Sequence, residues 1–253
     1  MRKEHAEPRR AFTRIELLVV VAVGALLAGI FLPPNSNPRP RAHTAVCMSN
    51  LRQVTLHMQM LADDNDQRAL MQVAKSKSGQ SLAPYPGTYP PVGDNGPDEL
   101  WKLYLIIHPY LKDPRMLVCP DAPSYRNAGA QARYQIANTN PLAYYSTSSN
   151  AFSYFLAVDA KMDPASTILA GDSHLASNPV GTDKALAEVE LKGEKRMGAD
   201  TAFITDLKWT GSRHAGKGVV AFGDGHAEVL TSPRLRTVWA NPTNQGTRIW
   251  LPN

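Results

Sequence analysis

Apolar residues follow one another without interruption from position 17 to position 32. Arg14 and Glu16 precede this run, and Pro33 and Pro34 end it. The run is close to the minimum length of a membrane-spanning helix, and basic residues on its N-terminal side favour a cytoplasmic N-terminus. The pattern therefore predicts a transmembrane helix over 12–32, with the rest of the chain in the periplasm or outside the cell.

A second helical pattern follows a proline-rich stretch. Prolines at positions 33, 34, 38 and 40 predict a break in the helix over 33–42, since proline lacks a backbone donor and restricts the residue before it. Apolar residues then recur at alternating spacings of four and three, which predicts an amphipathic helix over 43–63. Its apolar stripe consists of Cys47, Leu51, Val54, Met58 and Leu61.

The remaining pattern is that of a mixed domain. A short helix is expected over 98–111, and the segment 83–97, rich in proline, glycine and tyrosine, is expected to be an irregular loop. Strands are predicted at 116–120, 151–158, 167–170, 218–222 and 226–230. We therefore expect an α+β domain over 43–253, in which the amphipathic helix packs on an antiparallel sheet.

Composition supports a folded domain. The 253 residues are 43% hydrophobic and 19% charged, which is typical of globular rather than disordered chains. The formal net charge is +5, and residues 1–11 contribute +2 of it, so the rest of the chain carries about +3. This balance does not indicate a nucleic-acid partner.

Glu16 places a carboxylate at the start of the apolar run, where a charge is costly unless it has a partner. Arg14 is two positions away and so lies on a different helical face. A partner could come from another copy of the chain. If the chain were cut between Ala11 and Phe12, the new ammonium group on Phe12 of one copy could neutralise Glu16 of its neighbour.

Phe12, with Glu16 five places into the shortened chain, the apolar core that follows and Pro33 together resemble the class III signal of type IV pilins and type II secretion pseudopilins. The resemblance implies cleavage after Ala11 and N-methylation of Phe12 by an inner-membrane prepilin peptidase. Two positions depart from the pattern, because Ala11 replaces a glycine and Arg14 an apolar residue. An ordinary signal peptide and an uncleaved anchor are the alternatives.

The C-terminal region carries a second part of the resemblance. His214 is followed by nine residues and then Asp224-Gly225, as in the pseudopilin-like branch with an H-X9-DG signature. The Asp-Gly pair predicts a two-residue type I′ hairpin. His214 is expected to hold the preceding loop by a side-chain hydrogen bond, with Asp224 as one candidate partner. A metal bound by His214, Asp224 and His226 is the alternative.

Cys47 and Cys119 are the only cysteines in the sequence. An oxidising compartment would permit a disulfide between them, and two buried free thiols are the alternative. Neither cysteine has a second cysteine or a histidine at the usual ligand spacing, so no zinc site is expected.

The residues and the resemblance together predict a pseudopilin-like or minor-pilin-like structural subunit of a type II secretion or type IV pilus-like filament. It would have a single inner-membrane span and a periplasmic domain, with no catalytic residue, cofactor or metal. The expected partners are prepilin peptidase, other pilin subunits and the inner membrane. One alternative is a membrane-anchored envelope binding protein that does not assemble and uses the 83–97 loop. Another is a periplasmic hydrolase built on Ser173.

Overall fold

The computed structural model describes residues 13–31, 38–85, 87–93, 99–111, 113–122, 140–147, 152–162, 165–177, 189–191, 193–197 and 206–252. The chain divides into two compact units, residues 1–38 and 39–253. Within the described ranges the helices are α1 (Arg14–Phe31), α2 (Pro38–Asp63), α3 (Leu70–Lys77), α4 (Leu100–Ile107), α5 (Pro141–Thr147) and α6 (Ser232–Trp239).

The strands of the described chain form two antiparallel sheets. They are β1 (Tyr154–Ala157), β2 (Ile168–Asp172), β3 (Leu175–Ser177), β4 (Val189–Glu190), β5 (Gly193–Arg196), β6 (Lys208–Trp209), β7 (Gly218–Phe222), β8 (Ala227–Leu230) and β9 (Arg248–Leu251). The larger sheet has the order β5-β9-β1-β2-β7-β8, and the smaller has the order β4-β3-β6. The α+β class and the antiparallel sheet agree with the sequence prediction.

The prediction of a transmembrane helix is wrong, and with it the prediction of a single-pass inner-membrane location. None of the helices in the described ranges combines the length and the apolar character needed to cross a membrane. Helix α1 begins at Arg14, so its first turn holds Arg14 and Glu16.

Helix α2 supplies one wall of the core in the second unit. It begins at Pro38, five residues before the predicted start, because proline is tolerated in the first turn, where the backbone donors are unpaired anyway. The predicted apolar stripe from Cys47 to Leu61 is at most 1% exposed. On the same helix, the side-chain amide of Gln59 donates to the carbonyl of Gly223 at 2.5 Å, next to the β7–β8 turn.

The expected strand at 116–120 is wrong. Residues Pro114–Leu117 form a 3₁₀ turn, in which Asp113 accepts a hydrogen bond from the backbone N–H of Arg115 at 2.9 Å. A proline after an aspartate is a turn signal, and here it outweighs the apolar pattern of the residues that follow. Val118 is then extended, and both Val118 and Cys119 are buried.

The β7–β8 hairpin lies where the Asp-Gly pair predicted it, but its turn type differs. Gly225 donates to the carbonyl of Phe222 at 2.9 Å, and Phe222 donates to the carbonyl of His226 at 2.9 Å. Within this turn only Gly225 has a positive φ, of 83°. A type I′ turn would need positive φ at both central residues, so the connection is a three-residue loop with glycine in the left-handed position.

Gly171 is expected to be intolerant of any side chain. An added Cβ would lie 2.7 Å from the ring of Phe155 and 3.1 Å from the carbonyl oxygen of Val219, and both neighbours are fully buried. We expect Gly171→Ala to lower the free energy of unfolding by about 1–3 kcal/mol, the usual effect of overpacking. Urea titration followed by circular dichroism measures this loss.

Gly211→Ala is the matched control, since a Cβ there meets nothing within 4 Å. Equal stability of the two variants would contradict the close packing of β1, β2 and β7 around Gly171.

Candidate functional site

Four side chains of the ligand-forming type converge inside the second unit. They are Cys47, Cys119, Asp172 and His214, and one ligand atom from each lies within 4.8 Å of all the others. All four residues are buried. In the described part of the chain this is the one group of three or more such side chains with that geometry.

Four separate elements bring these residues together. Cys47 projects from the buried stripe of α2, and Cys119 follows the 3₁₀ turn Pro114–Leu117. Asp172 is the last residue of β2, and His214 lies in the loop before β7. That loop has an unusual backbone, because His214, Ala215 and Gly216 all have positive φ (48°, 54° and 75°). Two successive non-glycine residues in this region are unfavourable, so the surrounding contacts must hold His214 in place.

The contacts within the cluster are short. The sulfur atoms of Cys47 and Cys119 are 3.1 Å apart. The Cys119 sulfur lies 3.3 Å from Nε2 of His214, and that nitrogen is 3.6 Å from Oδ2 of Asp172. Both thiols are free in this structure. The predicted disulfide therefore stays a prediction, with its two sulfurs adjacent but farther apart than the roughly 2.05 Å of a bond.

A second layer of hydrogen bonds orients the imidazole. Nδ1 of His214 faces Oδ2 of Asp121 at 3.1 Å and the hydroxyl of Thr44 at 3.2 Å. Asp121 also contacts the ring of His43 through its other oxygen. A proton on Nδ1 satisfies the carboxylate, which leaves Nε2 as the nitrogen that faces Cys119 and Asp172.

Asp172 is anchored through only one of its oxygens. Oδ2 accepts a hydrogen bond from the backbone N–H of Val219 at 2.7 Å. Oδ1 is buried and has no hydrogen-bond partner among the described residues. A buried polar atom without a partner is uncommon in folded proteins and calls for a physical reason.

The environment shifts the ionisation of the whole group. The hydrogen bond from Cys47 and the contact with His214 lower the pKa of the Cys119 thiol to about 5, whereas donating that bond raises the pKa of Cys47. Burial raises the pKa of Asp172 to about 7. Although burial opposes it, the contacts with Cys119 and Asp172 raise the pKa of His214. The cluster can therefore hold a thiolate, an imidazole and a carboxyl group in contact, away from water.

Sequence reasoning missed this cluster because its members are far apart in the chain. Cys47 and Cys119 are separated by 72 residues, and Cys119 and His214 by 95. Zinc-site prediction relies on ligands that lie close together in sequence, and none do here. The sequence did mark three of the four residues for other reasons, the two cysteines as a possible disulfide and His214 as part of the H-X9-DG pattern.

The H-X9-DG residues divide between two places. His214 is inside the cluster, whereas Asp224 and Gly225 form the tip of the β7–β8 hairpin, where Asp224 is exposed and Gly225 is half-buried. Asp224 pairs with His226 and accepts a bond from its backbone N–H at 3.0 Å. The expected bond between His214 and Asp224 is absent among the contacts described, and Thr44 and Asp121 take that place. The alternative metal set of His214, Asp224 and His226 is likewise not brought together in the described structure.

Glu16 has a partner within its own helix, which sequence reasoning did not find. The backbone N–H and the hydroxyl of Thr13 donate to Oε2 of Glu16 at 2.8 and 2.9 Å, and the N–H of Glu16 donates to the Thr13 hydroxyl at 3.3 Å. This is a capping box, and its signature of threonine followed three places later by glutamate is visible in the sequence. The processing residues Ala11 and Phe12 lie outside the described residues.

The two alternative functions, a hydrolase built on Ser173 and a binding protein that uses the 83–97 loop, both depend on residues that are buried or packed on the core. Ser173 is 7% exposed, and Nε2 of the neighbouring His174 contacts the carbonyl of Lys217 at 2.9 Å. Within the described ranges no hydrogen bond joins the Ser173 hydroxyl to a histidine. In the 83–97 loop, Tyr89 is buried and Tyr85 packs on the core.

No protein-family model, curated protein or solved structure matches this chain.

Proposed function

We propose that this chain is a pilin-like structural subunit that assembles with further subunits through α1. The observation that carries the proposal is the exposed apolar surface of that helix. Its large apolar side chains from Ile15 to Leu27 are 49–73% exposed. Helices that are apolar on every side are normally buried, and large exposed apolar patches mark interaction sites.

The partner that fits this surface best is the α1 helix of another subunit. Val19, Val20 and Val21 point branched side chains in three different directions around the helix, and a Cβ added at Gly24 would meet nothing within 4 Å. Such a surface offers no hydrogen-bonding side chain between residues 17 and 27, so its association energy comes from apolar packing. A bundle of equivalent helices covers every face of each helix, which a flat partner surface does not.

Glu16 adds a directional charge at one end of this surface. Its side chain is fully exposed, and the hydrogen bonds from Thr13 lower its pKa, so the carboxylate is ionised at neutral pH. Oε2 takes both bonds from Thr13, whereas Oε1 receives none among the contacts described. This free oxygen supports the pairing with the ammonium group of Phe12 from a neighbouring subunit, which the resemblance implies.

The first experiment follows processing. The full chain is expressed with and without a prepilin peptidase, and the N-terminal peptide is identified by mass spectrometry. A chain that begins at N-methylated Phe12 supports the proposal. A retained Met1 in the presence of the peptidase, or a cut beyond residue 32, contradicts it.

The second experiment tests the charge of Glu16. Glu16→Gln keeps a capping-box side chain and removes only the charge. We expect normal cleavage and about tenfold less incorporation into filaments, which corresponds to an intersubunit ion pair of about 1.4 kcal/mol. Quantitative immunoblotting of sheared filaments measures the incorporation.

Glu228→Gln serves as the control for Glu16→Gln. Glu228 is a surface carboxylate on β8, 3.9 Å from Arg234, and its replacement is expected to leave incorporation unchanged. If Glu16→Gln incorporates as well as this control, the pairing of Glu16 with Phe12 is refuted.

A further inference from the structure

We propose that Cys47, Cys119, Asp172 and His214 bind one zinc ion in a closed, structural site. The proposal goes beyond assembly through α1, because it concerns only the second unit. Two sulfurs, one imidazole nitrogen and one carboxylate oxygen form a donor set that suits Zn²⁺ better than a hard cation such as Mg²⁺ or Ca²⁺.

The distances between the donor atoms fit such an ion. With bonds of about 2.0–2.3 Å, the four ligands of a tetrahedral zinc ion lie roughly 3.3–3.8 Å from one another. The observed separations are 3.1 Å between the sulfurs, 3.3 Å from the Cys119 sulfur to Nε2 of His214 and 3.6 Å from that nitrogen to Oδ2 of Asp172, and all four ligand groups lie within 4.8 Å of one another. The sulfurs would separate by roughly half an ångström on binding, and one carboxylate oxygen of Asp172 would complete the tetrahedron.

The unpartnered oxygen of Asp172 is an independent indication of a ligand. Asp172 is fully buried, and its Oδ1 has no hydrogen-bond partner in the described chain. A buried carboxylate is costly without a positive charge beside it. In the described chain, the His214 imidazole is shared between Asp172 and Cys119, and neither it nor the nearby positive charge of Arg213 gives Oδ1 a hydrogen bond. A zinc ion beside the carboxylate supplies the missing partner.

The surrounding hydrogen bonds also match a metal site. Nδ1 of His214 faces the carboxylate of Asp121, which is the usual arrangement of carboxylate, histidine and metal. The Val219 N–H fixes the second oxygen of Asp172, and the Asp121 N–H lies 3.4 Å from the Cys119 sulfur. These groups hold the ligands in position before the ion binds.

Four protein ligands fill the coordination shell and leave no position for water or substrate, which defines a structural rather than a catalytic site. The ion would join α2, the segment after Pro114–Leu117, the end of β2 and the loop before β7. On binding, both cysteines coordinate as thiolates, and any proton still held by a sulfur or by Nε2 of His214 passes to solvent.

A disulfide between Cys47 and Cys119 is the competing use of the same sulfurs. It would consume both thiolates and would leave Oδ1 of Asp172 and the orientation of His214 without an explanation. The two outcomes differ in mass and in metal content, so they can be separated on the same sample.

The test uses the full chain, purified from zinc-supplemented medium without chelators. We expect one zinc per chain by elemental analysis, two reduced thiols by intact mass after denaturation, and, after exchange with Co²⁺, the absorption bands of thiolate-bound tetrahedral cobalt. A chain without stoichiometric metal after reconstitution, or one that lacks two hydrogens because the cysteines are joined, overturns the proposal.

Asp172→Asn tests the carboxylate, with Asp224→Asn as the matched control on the exposed hairpin. We expect the first variant to lose zinc to a chelator at a concentration roughly tenfold to hundredfold lower than the wild type, while the control matches the wild type. Because Asp172→Asn could misfold, the cobalt spectrum of the wild type is the deciding measurement. A spectrum without bands from thiolate ligation refutes the site whatever the variants do.

Discussion

His214→Asn is expected to lower the free energy of unfolding by about 3–5 kcal/mol, the usual result of removing one partner from a buried charged group. The imidazole makes polar contacts with four side chains, Thr44, Cys119, Asp121 and Asp172. The shorter asparagine cannot reach both sides of the cluster. Asparagine tolerates a positive φ, so the loss reflects the contacts rather than the backbone at 48°. Urea titration followed by circular dichroism and by tryptophan fluorescence measures it.

His226→Asn is the matched control for His214→Asn. His226 also belongs to the C-terminal pattern region, but its side chain is 45% exposed and contacts Asp224 at the tip of the hairpin. Exposed substitutions of this kind usually change stability by less than about 0.5 kcal/mol. Similar losses in the two variants would mean that the cluster does not hold the fold together. A much smaller loss in His214→Asn than in the control would contradict the structure of the loop itself.

Much of the core could be predicted from local patterns. The stripe of α2 is readable because apolar residues at helical spacing bury one face whatever the rest of the chain does. The hairpin at Asp224-Gly225 is readable because only glycine adopts the left-handed turn position easily. The type of turn was not readable, since Asp-Gly serves both the two-residue and the three-residue loop and the register of β7 and β8 decides between them.

Non-local pairing set the limit of prediction elsewhere. Strand β9 pairs with β1, about ninety residues earlier in the chain, and with β5, and its four residues carry no turn signal that would reveal either partner. The prolines at 38 and 40 misled the prediction of the start of α2, because a proline in the first turn of a helix and a proline that breaks one look alike in sequence.

The candidate site could not be predicted from local sequence patterns either, because its residues are far apart in the chain. The sequence singles out the two cysteines as a possible disulfide and His214 as part of the H-X9-DG pattern. Nothing in their spacing indicates that α2, β2 and the loop before β7 meet at one point. Asp172 directly precedes Ser173 in the sequence, and nothing in that position marks it as a member of the cluster. Its burial follows from the position of β2 between β1 and β7 in the larger sheet, which becomes known only with the fold.

Stability is expected to fall in acid because of His108, which lies outside the cluster. His108 follows α4, is 3% exposed, and lies between the rings of Tyr85 and Tyr145, with Nδ1 3.1 Å from the Tyr145 hydroxyl. Burial lowers its pKa from 6.5 to about 4. Between these two values the unfolded chain binds a proton that the folded chain does not, so folding weakens as the pH falls.

The expected loss from His108 is about 2 kcal/mol on going from pH 7.5 to pH 5, and it approaches about 3 kcal/mol below pH 4. His108→Phe should remove this part of the pH dependence, because phenylalanine fills the same space between the tyrosines and does not titrate. Urea titrations at several pH values measure the slope of the free energy of unfolding against pH for the wild type, for His108→Phe and for the exposed control His226→Gln.

Other groups also titrate in this range, so the deciding quantity is the difference between the wild-type slope and the His108→Phe slope. Parallel slopes for these two proteins would show that His108 is not buried in its neutral form, whereas a flatter slope in His108→Phe alone would support the packing of α4 against Tyr85 and Tyr145.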